Sequence, residues 1–301
     1  MNGRDRTRCA VCLWLFACLT FGSILLLNLT EDSLLLTLLR STVLELQQTP
    51  RAFGVFHLLC LAACVILTIA LGAWAWRIPE GRVERVTDLT VFAAGMLFLI
   101  MELYKQLFAT FVIRNGIYDY SIFPFQFCSL PLYVCPIVPF IRNREVKRAF
   151  YCFLALFATV GGYIVVGYPR FSPHFTLCIH TMLWHTVMVI LGGFLLILQR
   201  VGKDFHRDFL PAAAVFGWSM MIATALNLLL QERAAATGSV LNLFYLSPYG
   251  ETAFLVIRRI RAAFGWFPAV LSYAILFCVA GALPLWLLGR FFTKIRKKQK
   301  K

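Results

Sequence analysis

Uncharged or nearly uncharged runs of roughly 20 residues, the length a helix needs to cross about 30 Å of hydrocarbon, recur eight times along this chain. They occupy residues 9–29, 52–76, 89–113, 120–141, 149–168, 174–198, 209–230 and 264–288, and each is read as a membrane-spanning helix. Residues 33–48 are apolar but interrupted by Arg40 and Glu45, a pattern that suits an interfacial helix better than a crossing. The segment Leu241-Asn242-Leu243-Phe244-Tyr245-Leu246-Ser247-Pro248-Tyr249 before the last span reads as a loop dipping into the outer interface, a candidate lid. The basic stretch Arg258, Arg259, Arg261 then returns it to the headgroups. The expected fold class is therefore all-α: a polytopic membrane helix bundle of about eight spans. Its expected organisation is an N-terminal anchor and interfacial segment over 1–51, a bundle over 52–288 and a basic tail over 289–301.

Charge decides orientation. Among 301 residues, 60% fall in the apolar and aromatic set and only 14% are charged, with a net charge of +15. In a soluble protein that excess would suggest nucleic acid; here the loops account for it. Twenty Lys and Arg lie on the side of the two termini and eight on the other, and Lys105 sits within the third span. Since cations collect in cytoplasmic loops, both termini are expected in the cytoplasm of a bacterial cell, with membrane lipids as partners and no nucleic acid. An uncleaved first helix is expected. The tail, rich in Lys directly after a span, suits anionic headgroups.

Of ten cysteines, seven lie well inside apolar runs, where cysteine acts as a small hydrophobe, so no disulfide framework is expected. The Cys9/Cys12 pair lacks a second CxxC or a nearby histidine and is read as ordinary helix. Polar side chains are expensive inside a membrane and tend to face the bundle interior. His57, Glu102, Lys105, Gln106, Gln126, Cys128, His180, His185 and Asn227 fall in the outer halves of their spans or near the midplane, while the inner halves read as almost purely apolar. Glu102 and Lys105, spaced i, i+3, can neutralise one another. His180 and His185 are five residues apart, about 140° around a helix, so they cannot point the same way. His185 shares a face with the small or polar Cys178, Thr181 and Gly192, which favours it for an interior role; His180 shares its face with Trp184. Prolines 124 and 131 flank Cys128 and would loosen the helix there, marking it as the most site-like cysteine. A thiol becomes a nucleophile as thiolate, and a nearby imidazole can supply the base.

The string Phe-Pro-Phe-Gln-Phe-Cys-Ser-Leu-Pro-Leu-Tyr at 123–133, Leu-Trp-His at 183–185 and the Asn242 to Tyr249 segment resemble the YwaF family over residues 52–288. Its members are bacterial integral membrane proteins, with a vertebrate relative proposed to be a cysteine-dependent acyltransferase that remodels ether phospholipids. The resemblance implies Cys128 as nucleophile and His185 as its histidine, with His180 the fallback. Gln126 stands where many relatives carry histidine. The leading expectation is thus a lipid-modifying enzyme requiring no metal or other cofactor. Gln126 or Asn227 would supply oxyanion donors, and Glu102, Lys105 and Tyr245 would support the site. The alternatives are a lipid or small-solute carrier without covalent chemistry, and an assembly partner.

Overall fold

The computed structural model describes residues 34–44, 48–198 and 205–299, with side chains to residue 284 apart from that of residue 35. The expected first span, with Cys9 and Cys12, lies outside these. In chain order the helices are α1 (Leu34–Ser41), α2 (Val55–Trp76), α3 (Val83–Leu107), α4 (Leu130–Ile137), α5 (Arg144–Phe153), α6 (Thr159–Gly167), α7 (Phe175–Leu198), α8 (Leu210–Leu229), α9 (Gln231–Ala236), α10 (Leu255–Phe264) and α11 (Trp266–Gln299). π-helical turns join α5 to α6 at Leu154–Ala158, extend α3 over Phe108–Ile113 and precede α8 at Phe205–Phe209. There is no strand among the described residues, and six helices are long and apolar enough to cross a membrane.

The bundle is built around the continuous helix Arg144–Gly167. Its apolar stretch is 72% buried, against 17% for Val55–Trp76 at the periphery. On α2 the side chains of Leu59, Ile66, Ile69 and Trp74 are exposed, which in a lipid solvent is their favourable environment. Because lipid tails are as apolar as Leu, packing between such helices rests on van der Waals fit and small residues. Gly192 on α7 is the clearest case: a β-carbon there would come within 1.6 Å of Thr159 Oγ1. Gly95 on α3 likewise lets the backbone at Cys135 and Pro136 approach, where a β-carbon would come within 2.7 Å. Thr159 Oγ1 in turn donates to Leu154 O, a carbonyl in the π-helical turn, at 2.8 Å.

The fourth expected span departs from its reading as an unbroken helix. Helix covers only Phe127–Phe140, entered and left through single 3-10 turns. Pro131 is tolerated in the first turn of α4, where no intrahelical donor is required. Upstream, Pro124 cannot extend a helix, and residues 120–126 run instead as a 3-10 turn capped by Asp119 followed by extended chain. Among the described residues of the 33–48 segment, the helix is the short α1, with Leu36 and Leu39 buried and the Thr42 hydroxyl 2.7 Å from that of Tyr104.

Candidate functional site

Cys128 lies in the 3-10 turn Phe127–Ser129 at the start of a helix, not deep within one, and its side chain is half-buried. Phe127 anchors this turn against Phe216, Phe244 and Phe277, with ring centroids 5.4, 5.6 and 4.9 Å away. From α7, Trp184 Nε1 donates to the Cys128 carbonyl at 2.9 Å. His180 stacks on Trp184 and donates through Nε2 to Met101 O at 3.1 Å.

The two histidines diverge, as their spacing requires. His185 Nδ1 donates to Thr181 O of its own helix at 2.7 Å. The proton is therefore on Nδ1, and Nε2 carries the lone pair. That atom is buried and has no hydrogen-bond partner, Cys128 included. Along α3 and the π-helical turn that extends it, Glu102, Gln106 and Thr110 recur at four-residue intervals. Lys105 Nζ lies 2.8 Å and Gln106 Nε2 2.6 Å from Glu102 Oε1, and Gln106 Nε2 also reaches Ile122 O at 2.8 Å. Glu102 Oε2, Gln106 Oε1 and Thr110 Oγ1 are left buried without partners. Buried polar groups normally find partners, and the last of the three, Thr110, lies in the π-helical turn that ends this helix.

Gln126 and Asn227 hold the loop at residues 242–244 in place. Asn227, fully buried, donates from Nδ2 to Leu243 O at 3.0 Å and accepts from Leu243 N at 2.8 Å. Gln126 donates to Asn242 O at 3.0 Å and accepts from Phe244 N at 2.9 Å. Two side-chain amides thus stand in for a neighbouring strand. Each amide gives its oxygen and one N–H to the loop, which makes Gln126 and Asn227 its supports. Phe244 and Tyr245 adopt φ of 55° and 58°, a left-handed conformation rare for bulky residues. Leu241, Leu243, Phe244, Leu246 and Ser247 of this loop are buried, because the amides above satisfy part of its backbone and let Phe244 plug the bundle. Arg261 binds the carbonyls of Ser247, Pro248 and Gly250. Trp266 Nε1 donates to Leu246 O at 2.8 Å. Tyr245 remains partly exposed, edge-on to Phe254, and burial pushes its phenol up, keeping it a neutral hydroxyl.

The family model for TMEM164 matches residues 52–288. The chain belongs to the TMEM164 family. It is a multi-pass membrane protein of that family, and the match spans the same residues over which the motifs around Cys128, His185 and Asn242 were read. No curated protein and no solved structure matches the chain.

This TMEM164-family bundle also carries a polar cluster that the span limits concealed. Near the opposite end of α3, Lys147 Nζ lies 2.6 Å from Asp88 Oδ2 and 3.8 Å from Glu84 Oε1, and the Tyr151 hydroxyl donates to Asp88. Arg148 makes a two-pronged contact with the fully buried Asp208, its Nε at 2.9 Å. Asp88, Lys147, Arg148 and Asp208 each fall just outside the expected spans, whose helices run a turn or more further. The helix ends remote from Cys128 are therefore not purely apolar. His57 has a structural role, with Nδ1 accepting from Phe53 N at 2.8 Å and Nε2 donating to Val166 O at 2.7 Å. The described cysteines are free thiols.

Proposed function

We propose that this chain is an integral membrane lipid-modifying enzyme, a Cys/His acyltransferase or acyl hydrolase acting on phospholipid. The observation that carries this reading is the buried, unpartnered Nε2 lone pair of His185, held in base-ready form by Thr181 on the helix whose Trp184 donates to the Cys128 carbonyl. The resemblance to the YwaF family supports the same pair. In this reading His185 Nε2 takes the Cys128 proton as an ester-bearing lipid enters. The thiolate attacks the ester carbonyl carbon, the acyl C–O bond breaks, and the departing alkoxide takes the proton from the imidazolium. A lysolipid hydroxyl or water then gives its proton to His185 and attacks the thioester, returning the thiolate and then the thiol. The N–H groups of the first helical turn at Phe127 and Cys128 are the oxyanion donors, since such groups have no intrahelical partner. The loop held by Gln126 and Asn227 covers the site and Tyr245 borders it.

A second reading, a carrier or binding protein, is favoured by the unpartnered Glu102 Oε2, Gln106 Oε1 and Thr110 Oγ1. A polar headgroup bearing N–H or O–H donors would satisfy them without bond making.

Alkylation by a lipid-permeable electrophile separates the two. The enzyme requires Cys128 to label faster than Cys152 and Cys278, with His185→Ala abolishing the preference in a protein that still melts cooperatively, and Cys128→Ala to alter the acyl composition of membrane phospholipids. Equal labelling of all three cysteines with an unchanged lipidome overturns it and leaves the carrier.

A further inference from the structure

At the end of α3 remote from Cys128, an open cavity of about 840 Å3 lies between the first three turns of that helix and the turn that ends the helix Phe127–Phe140. Its volume falls in the range of small-molecule sites, about 300–1,000 Å3. The lining has two chemical halves. Gly81, Glu84, Arg85 and Asp88 form one; Leu89, Phe92, Pro139 and Phe140 form the other, with Phe92 and Phe140 edge to face at 5.6 Å. Along α3 the change from charged to apolar takes from Arg85 to Phe92, roughly 10 Å at 1.5 Å per residue. That is the distance over which an amphiphile passes from headgroup to acyl chain.

The charges specify the head. Asp88 is engaged by Lys147 and Tyr151, whereas the Glu84 carboxylate is mostly exposed and only 3.8 Å from the same ammonium. Glu84 and Asp88 together balance Arg85 and Lys147, so an occupant of net charge would unbalance the site and a zwitterion would not. A guanidinium grips a phosphate through paired N–H donors, and Arg85 is exposed at the mouth. We propose that this cavity binds one zwitterionic phospholipid, its phosphate on Arg85, its ammonium on Glu84, and an acyl chain along Leu89, Phe92 and Phe140. The site is separate from the Cys128 cluster and does not depend on what that cluster does.

The test is photocrosslinking of the full chain in nanodiscs of dioleoylphosphatidylcholine, doped with either a diazirine-acyl phosphatidylcholine or a diazirine-acyl phosphatidylglycerol. The proposal expects phosphatidylcholine adducts concentrated on peptides carrying Leu89–Phe92 and Pro139–Phe140. Arg85→Gln should lower them about 10-fold, the factor one charge-assisted hydrogen bond supplies, and Glu84→Gln should lower them for phosphatidylcholine only. Leu89→Trp, which fills the cavity with the charges intact, should block both probes there. Adducts near Cys128 should not change in any variant, and since Glu84, Arg85 and Leu89 are exposed, the melting temperature should hold. Stronger labelling by the anionic probe, or labelling that matches the lipid-facing residues Leu59 and Ile66 of α2 and ignores Arg85→Gln, overturns the proposal.

Discussion

Asn227→Ala probes the most specific tertiary arrangement in the molecule. The side chain is fully buried and makes two hydrogen bonds to one residue, Leu243, at 2.8 and 3.0 Å. Truncation leaves a backbone N–H and a C=O unsatisfied, at about 1–3 kcal/mol each, for a total of roughly 2–6 kcal/mol if the loop stays in place. The loop has reason not to stay. Phe244 and Tyr245 hold left-handed conformations that cost on the order of 1–3 kcal/mol each and persist only while their surroundings over-determine them. The expected response is therefore local release of residues 241–247, limiting the loss to about 1.4–2.7 kcal/mol, a 10- to 100-fold change in the opening equilibrium. Hydrogen exchange on peptides from this segment should accelerate by that factor at Leu243 and Phe244, while α5 and α6 keep their protection. Gln126→Ala, which removes the other amide clamp, should accelerate the same amides, and the double variant should show less than the sum because both act on one loop. Exchange at Leu243 and Phe244 within about twofold of the parent refutes the reasoning, as does equal acceleration throughout the bundle.

Asp208→Ala removes the partner of the half-buried Arg148 and should lower stability by about 3–5 kcal/mol, read as a large drop in the detergent melting temperature; a change under about 1 kcal/mol would mean water already reaches the pair. Gly192→Ala drives a β-carbon into Thr159 and should cost about 1–3 kcal/mol, whereas Gly217→Ala, with nothing within 4 Å, should be neutral or mildly stabilising. Equal melting temperatures for the two glycine variants would contradict the close packing of α6 and α7. Reporter fusions after Arg142 and after Arg170 should report cytoplasm and exterior respectively; the reverse result would invert the topology expected from 20 loop cations against 8.

The class of this protein was open to inspection in its residues because the governing quantity is local. A helix must cover a fixed hydrocarbon thickness at a fixed rise per residue, so run length alone located all six long spans of the described chain. The polar residues Glu102, Lys105, Gln126, Cys128, His180, His185 and Asn227 were visible for a similar reason, since each interrupts an apolar run. Their partners were not. Asn227 and Gln126 look alike in sequence to any helix-linking amide, and only the return of residues 242–244 across the bundle makes them substitutes for a missing strand. The interruption of the fourth span was written in Pro124 and Pro131, but whether prolines kink a helix or end it depends on neighbours that re-satisfy the backbone. Asp88, Lys147, Arg148 and Asp208 were unreadable in a stronger sense. A charge at a span boundary is ordinary in water and costly in lipid, and its position along the chain does not tell which solvent it meets. Only the convergence of α3, α5 and the turn before α8 supplies the opposite charges that turn four boundary residues into two ion pairs, Asp88 with Lys147 and Asp208 with Arg148, and buries Lys147 and Asp208.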